Sequence, residues 1–286
     1  MGPELRIPLL SNTITLLLLI LWSTGAEAQS WSTLQLSRQL QDERELTVDV
    51  NYASGRFTFG PVESPSLYGI HLHYDDERFE PIHSFESDRL TVGVDGRDRG
   101  SRFGRGSSEG ALDLRLSNAI PLDLDFEFGA VRADVELGGL RLENFRFATG
   151  ASETRIRVSS QNPDPMGRVT LRVGAASLEA TGLGRLNAEE IRVDAGVGDV
   201  DLEFDGLTRE ETRIDADMGI GRLTIRIPQA AGIRLVRDSF LTSLDAPDLT
   251  RRGDVYYSSN WDASGIRVFI DVNAAFGRVS VVRLRE

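Results

Sequence analysis

The sequence contains no cysteine and no lysine, and it has only three histidines. Without cysteine there is no disulfide framework, no thiolate to ligate a metal or attack a substrate, and no acceptor for a lipid at an export cleavage site. Stability has to come from packing. Without lysine every basic residue is an arginine, which a coding bias explains as readily as any guanidinium chemistry. Aromatics make up 7% of the 286 residues against 28 glycines, a balance that suits many short strands and tight turns better than one large aromatic core. Positive charge is scarce too. The formal net charge of -12 opposes an anionic membrane surface and excludes nucleic acid as a partner. Beyond the first residues no segment is long or apolar enough to cross a bilayer, and no helix-period stretch of useful length occurs.

What is present begins with an export signal. Arg6 precedes a mostly apolar run from Ile14 to Trp22, and Gly25-Ala26-Glu27-Ala28 places small residues at the two positions a signal peptidase reads. Residues 1–28 are therefore assigned to a signal peptide. The mature chain is expected outside the cytoplasm, in the periplasm, cell envelope or extracellular space, without a transmembrane domain; retention of the run as an anchor is the alternative. At 40% apolar and 27% charged residues, that chain can fill a sizeable core.

From Leu46 the pattern alternates, with Leu46, Val48 and Val50 on one face and Thr47, Asp49 and Asn51 on the other. Ser54-Gly55 then reads as the turn of a hairpin whose second strand, Arg56-Phe57-Thr58-Phe59, stops at Gly60-Pro61. More strands are expected around Leu67 to Tyr74 and Arg89 to Val94. Residues 29–96 form the expected N-terminal β module. Residues 97–109, rich in Gly, Ser and Arg and without apolar period, read as a linker or loop.

Residues 110–286 repeat themselves. Gly129-Ala130-Val131-Arg132-Ala133, Gly198-Asp199-Val200-Asp201-Leu202 and Gly221-Arg222-Leu223-Thr224-Ile225 each set alternation behind a glycine, with weaker copies from Gly150, Gly174 and Gly277. The interval of roughly twenty residues is that of a solenoid rung, in which glycine allows a sharp bend and close approach to the next coil. Second alternating strands, such as Arg155-Ile156-Arg157-Val158 and Thr212-Arg213-Ile214-Asp215-Ala216, lie between them. The fold class is thus all-β, a stacked-strand β-solenoid-like repeat with a small N-terminal β module and an insertion near 240–262. Val135, Leu202 and Ile225 point inward, and the charged residues between them form ladders toward water.

The stretch from Leu46 to Phe59, the later run from Tyr74 through Arg78-Phe79-Glu80-Pro81 to Leu90-Thr91-Val92, and the closing Gly265 to Val281, read as a terminal strand pair, together resemble a group of bacterial envelope domains. These are the toast-rack domain of unknown function with its N-terminal module, the C-terminal domain of cell-wall-active antibiotic response proteins, and related adhesin-like domains. The resemblance implies a stacked-strand fold with no assigned enzymatic role, acting as a structural, adhesive or regulatory surface with a link to envelope stress. It carries no family active site, so no functional residue transfers.

The residues that could carry chemistry all have plainer readings. His71 and His73 share a strand face near Asp75, Asp76 and Glu77, a spacing that can hold zinc; a partly exposed polar strand is the plainer reading. Gly106-Ser107-Ser108-Glu109-Gly110 matches a nucleophile-elbow pattern but lies in a low-complexity loop and leads into a strand. The pairs Asp123 with Asp125, Asp199 with Asp201, and Asp215 with Asp217 suit glycoside hydrolysis or calcium, and equally a solvated strand face.

No catalytic residue, cofactor or metal is therefore expected, and the protein is read as non-enzymatic. Its partner would be an unknown envelope protein or glycan. Tyr256, Tyr257 and Trp261, in the segment that interrupts the repeat, are the candidate contact residues; Trp261 covering the open end of the solenoid is the competing reading. A carbohydrate-active β-helix enzyme and a passive structural spacer remain the alternatives.

Overall fold

The computed structural model describes residues 30–63, 65–96 and 110–284. The expected leader and the residues read as a linker lie outside them. The described residues form one 15-stranded sheet and a single 3-10 turn, Leu183–Leu186. The first strands are β1 (Trp31–Gln39), β2 (Leu46–Val62), β3 (Ser66–Asp75), β4 (Phe79–Glu86), β5 (Arg89–Gly96) and β6 (Ala111–Ser117). Then come β7 (Pro121–Glu136), β8 (Arg141–Arg157), β9 (Met166–Thr181), β10 (Ala188–Glu203) and β11 (Glu211–Pro228). The chain ends with β12 (Gly232–Asp245), β13 (Leu249–Arg252), β14 (Val255–Ser258) and β15 (Arg267–Leu284). Among the described residues no helix is long and apolar enough to cross a membrane.

The long strands of the middle stack in parallel, in the order β2, β7, β8, β9, β10, β11, β15, β12. Each folds over halfway along. In β10, Val193 and Ala195 are buried before the midpoint and Val200 and Leu202 after it, so the buried parity switches. A flat strand would keep its parity, and the switch lets both halves face one core. Val135, Leu202 and Ile225 are at most 1% exposed, as the alternation requires.

Glycine makes the corner possible. A Cβ on Gly129, Gly174, Gly196 or Gly219 would stand 2.3 to 2.5 Å from a carbonyl oxygen of the preceding rung. Two residues further on, Gly198, Gly221 and Gly277 take φ of +139°, +141° and +132°, with the same carbonyl contact closer still. The glycine-led repeat expected from the sequence is therefore two columns: Gly129, Gly150 and Gly174 belong to the first, and Gly198, Gly221 and Gly277 to the second.

Two local readings change. Ser54-Gly55 is not a hairpin turn: β2 continues through it and pairs in parallel with β7 from Leu46 to Phe59, since Gly55 at φ +133° serves a rung corner as well as a turn. β5 and β6 pair with the two halves of β2 on its other side and together make up a rung. The closing stretch is likewise one strand, β15, rather than a terminal pair. It slots between β11 and β12, so the chain builds β12 first and returns to fill the gap.

The ends are antiparallel. β3 and β1 cover β6 in turn, β4 covers β5, and the β13–β14 hairpin covers the first half of β12. The segment expected as an insertion thus holds the end of β12 and this hairpin. One continuous hydrophobic core runs through the stack.

Candidate functional site

Parallel stacking repeats each outward position about every 4.8 Å, so charges on successive rungs become neighbours. Arg146 reaches Asp125 at 3.5 Å, Arg168 reaches Glu190 at 2.8 Å, Arg172 reaches Asp194 at 3.3 Å and Arg192 reaches Asp217 at 3.0 Å. On the other half, Arg132 pairs with Glu153, Arg155 with Asp134 and Glu179, and Arg226 with Asp201. These pairs are exposed and individually weak. They account for most of the acidic pairs singled out above: Asp199 faces Arg222 at 3.9 Å, and Asp123 accepts a hydrogen bond from Asn144 Nδ2 at 3.3 Å.

The histidines do not converge. His73 stacks on Trp31 at 4.7 Å and lies 3.1 Å from the Thr33 hydroxyl, while Asp75 accepts the Glu77 amide and Asp76 accepts the Ser32 hydroxyl. Among the described residues no group of three or more potential ligands is placed to hold a metal. Ser108 lies outside the described residues, and Gly110 leads into strand β6 where an elbow requires a helix.

The C-terminal end differs from the middle rungs in what it presents outward. Tyr256 and Tyr257 are adjacent on β14 and face opposite ways. Tyr256 packs on the core. Tyr257 lies 5.6 Å from Trp261, which meets the ring of Phe269 edge-on at 5.3 Å. Phe269 stands between buried Val268 and Ile270 on β15, so its ring points outward. Arg252 lies 5.4 Å from the Tyr257 ring, Arg267 5.6 Å from Trp261 and Arg213 5.9 Å from Phe269. Sequence reasoning missed Phe269 and Arg267; parity on β15 was the signal that could have found them, because both fall on the charged side of its alternation.

The loop that carries Trp261 is pinned. Asn260 Nδ2 donates to the carbonyls of Gln229, Ala230 and Ala231 at 3.1 to 3.3 Å. Ser258 Oγ accepts the Ile233 amide at 2.8 Å, and Ser264 Oγ accepts the Gly232 amide at 3.0 Å. Trp261 therefore sits against Gly232 on the outside, while Tyr256 covers the core. Ring faces and edges with guanidinium groups around them can stack on a flat ligand and hydrogen-bond its rim. Arg267 Nε is buried without a hydrogen-bond partner.

A family model described as the N-terminal domain of toast_rack, DUF2154, matches residues 25–181. That range contains the stretches near 46–59 and 74–92 that carry the resemblance; the closing stretch lies beyond it. No curated protein matches the chain. Among solved structures, a candidate cell adhesion protein from Clostridium sporogenes is 12% identical, with 88% of this chain and 100% of that one covered at a TM-score of 0.42. A candidate adhesin from Bacteroides fragilis is 11% identical over 89% and 99% of the two chains, at a TM-score of 0.37. A candidate lipid binding protein from Parabacteroides distasonis is 9% identical over 90% and 98%, at 0.40.

Proposed function

We propose, since the chain belongs to the family of the N-terminal domain of toast_rack, that it is an exported, non-enzymatic protein of the cell envelope that works as an adhesin-like interaction surface. The observation that supports this reading is the outward cluster of Tyr257, Trp261 and Phe269. Charge ladders occupy the corresponding outward positions of the middle rungs, so the aromatics are not a requirement of the stack. Aromatic and arginine side chains dominate binding hot spots because they bury much area at little entropic cost. On this reading the partner is an envelope protein or glycan, and a link to envelope stress is part of the proposal.

The test is a retention assay on isolated cell envelopes with wild type, Tyr257→Ala and Trp261→Ala, each checked for melting temperature. Loss of retention with the fold intact is the expected result. Equal retention by all three proteins would overturn the reading.

A further inference from the structure

One position of the rung changes character along the stack. Between the two glycine columns each corner presents a single residue, and the register aligns Ser54, Ala130, Ala151 and Ala175 on successive rungs. The same row continues as Val197, Ile220, Phe276 and Leu241. These last four are 52%, 51%, 45% and 63% exposed. The first rungs show that the corner accepts a small residue. Large apolar side chains held in water at consecutive rungs therefore answer to something other than the corner, and a contiguous exposed row of this kind marks a contact surface.

The flanks of this ridge are unlike each other. On one side the first glycine column leaves a groove of about 620 Å³, with Gly196, Gly219 and Ala275 in it and Asp194, Asp217 and Asp238 along it. On the other side stand Arg222 and Arg278, neighbours in register. Asp238 and Arg278 make no ion pair among the described residues, and Arg222 meets Asp199 only at 3.9 Å. The acid lies on β12 and the arginine on β15, the two rungs that carry Leu241 and Phe276.

We infer that this corner is the interface between two copies of the chain, related by a two-fold axis parallel to the stack of rungs. In that arrangement the ridge of each copy lies in the glycine groove of the other. The arginine flank of one then meets the aspartate flank of its partner, and the contact is made twice, as a two-fold interface requires. A two-fold axis across the ridge would instead set aspartates against aspartates. A lipid surface is disfavoured by the same aspartates and by the net charge of -12.

Sedimentation velocity of the purified protein over a wide concentration range tests this. Wild type should dimerise, and Ile220→Ser should weaken the dimer by about 100-fold or more, because the side chain is buried twice per dimer, with the same melting temperature as wild type at concentrations where both are monomeric. Asp238→Arg and Arg278→Asp should each weaken association, and the double variant should restore it. A wild type that stays monomeric, an Ile220→Ser dimer as tight as wild type, or a double variant without rescue would each overturn the inference. So would a monomer that binds phosphatidylcholine vesicles through Ile220.

Discussion

The middle of the stack, β7 to β11, and its C-terminal end, β15, β12 and β14, share one inward pattern and differ outside. Inside, Ile191, Ile214, Ile270 and Leu235 occupy equivalent buried positions. Outside, the middle carries arginine–carboxylate ladders and, up to β9, small corner residues, whereas the end carries Tyr257, Trp261 and Phe269 on one half; the apolar corner ridge starts on β10 and β11 and runs on through β15 and β12. The inward residues are what the stack requires of any sequence. The outward differences are not required by the stack.

The largest effect expected belongs to the shared interior. Leu202→Asp places a carboxylate where nothing can solvate it, and it should destabilise the protein by about 3 kcal/mol or more in a urea titration. Glu203→Gln, one residue on and facing water, should be nearly silent. Equal stability of the two variants would remove the distinction between inside and outside on which the comparison rests.

Next come the corners. In the middle, a Cβ at Gly198 would stand 1.8 Å from the Ala176 carbonyl oxygen, so Gly198→Ala combines backbone strain with a clash and should cost about 3 kcal/mol. At the end, Gly253 in the β13–β14 turn also has positive φ, +67°, but open space around it. Gly253→Ala should cost only about 1 kcal/mol, the price of the conformation alone. If both cost the same in thermal unfolding, the carbonyl contact between rungs is not what fixes the glycine columns.

The two tyrosines sharpen the contrast within the end itself. Tyr256→Ala should lose about 2 kcal/mol because its ring packs on the core, while Tyr257→Ala should lose about 1 kcal/mol or less. A reversed order would mean that the outward cluster is the cap of the stack and Tyr256 the free ring.

The repeat and its inward faces were legible because they are local: period-2 alternation writes parity directly into the sequence, as at Val200, Leu202 and Phe204. The corner at Ser54-Gly55 was misread because a glycine with positive φ serves a hairpin and a rung corner equally, and only pairing with β7 tells them apart. The two glycine columns were merged because they stand two residues apart and each rung's sequence shows one of them more clearly. The place of β15 between β11 and β12 depends on partners 56 residues away on β11 and 35 away on β12, which no local pattern encodes. For the candidate contact residues, the sequence showed that Tyr256 and Tyr257 face opposite ways, but not which one faces out or that Phe269 joins them.

The smallest effect lies where the ladder meets the end. Asp215 on β11 faces Arg192 on the β10 side, as the ladder pattern requires, but Asp271 on the β15 side, where the alternation of sign fails. Burial, then Glu190 and Asp271, raise its pKa above the ordinary 3.8. A carboxyl raised on folding adds stability that is fully present below its unfolded value and lost as pH rises through the folded one. At neutral pH Asp215 therefore works against the fold, and Asp215→Asn should stabilise it. After solvent screening the gain should be about 0.5 kcal/mol or less, smaller again in high salt, and should vanish as pH falls below about 3.8. Thermal unfolding of both proteins at pH 7 and pH 3 measures it. No gain at pH 7, or an equal gain at pH 3, would mean that Asp215 is an ordinary member of the ladder and that the break between middle and end lies further along the stack.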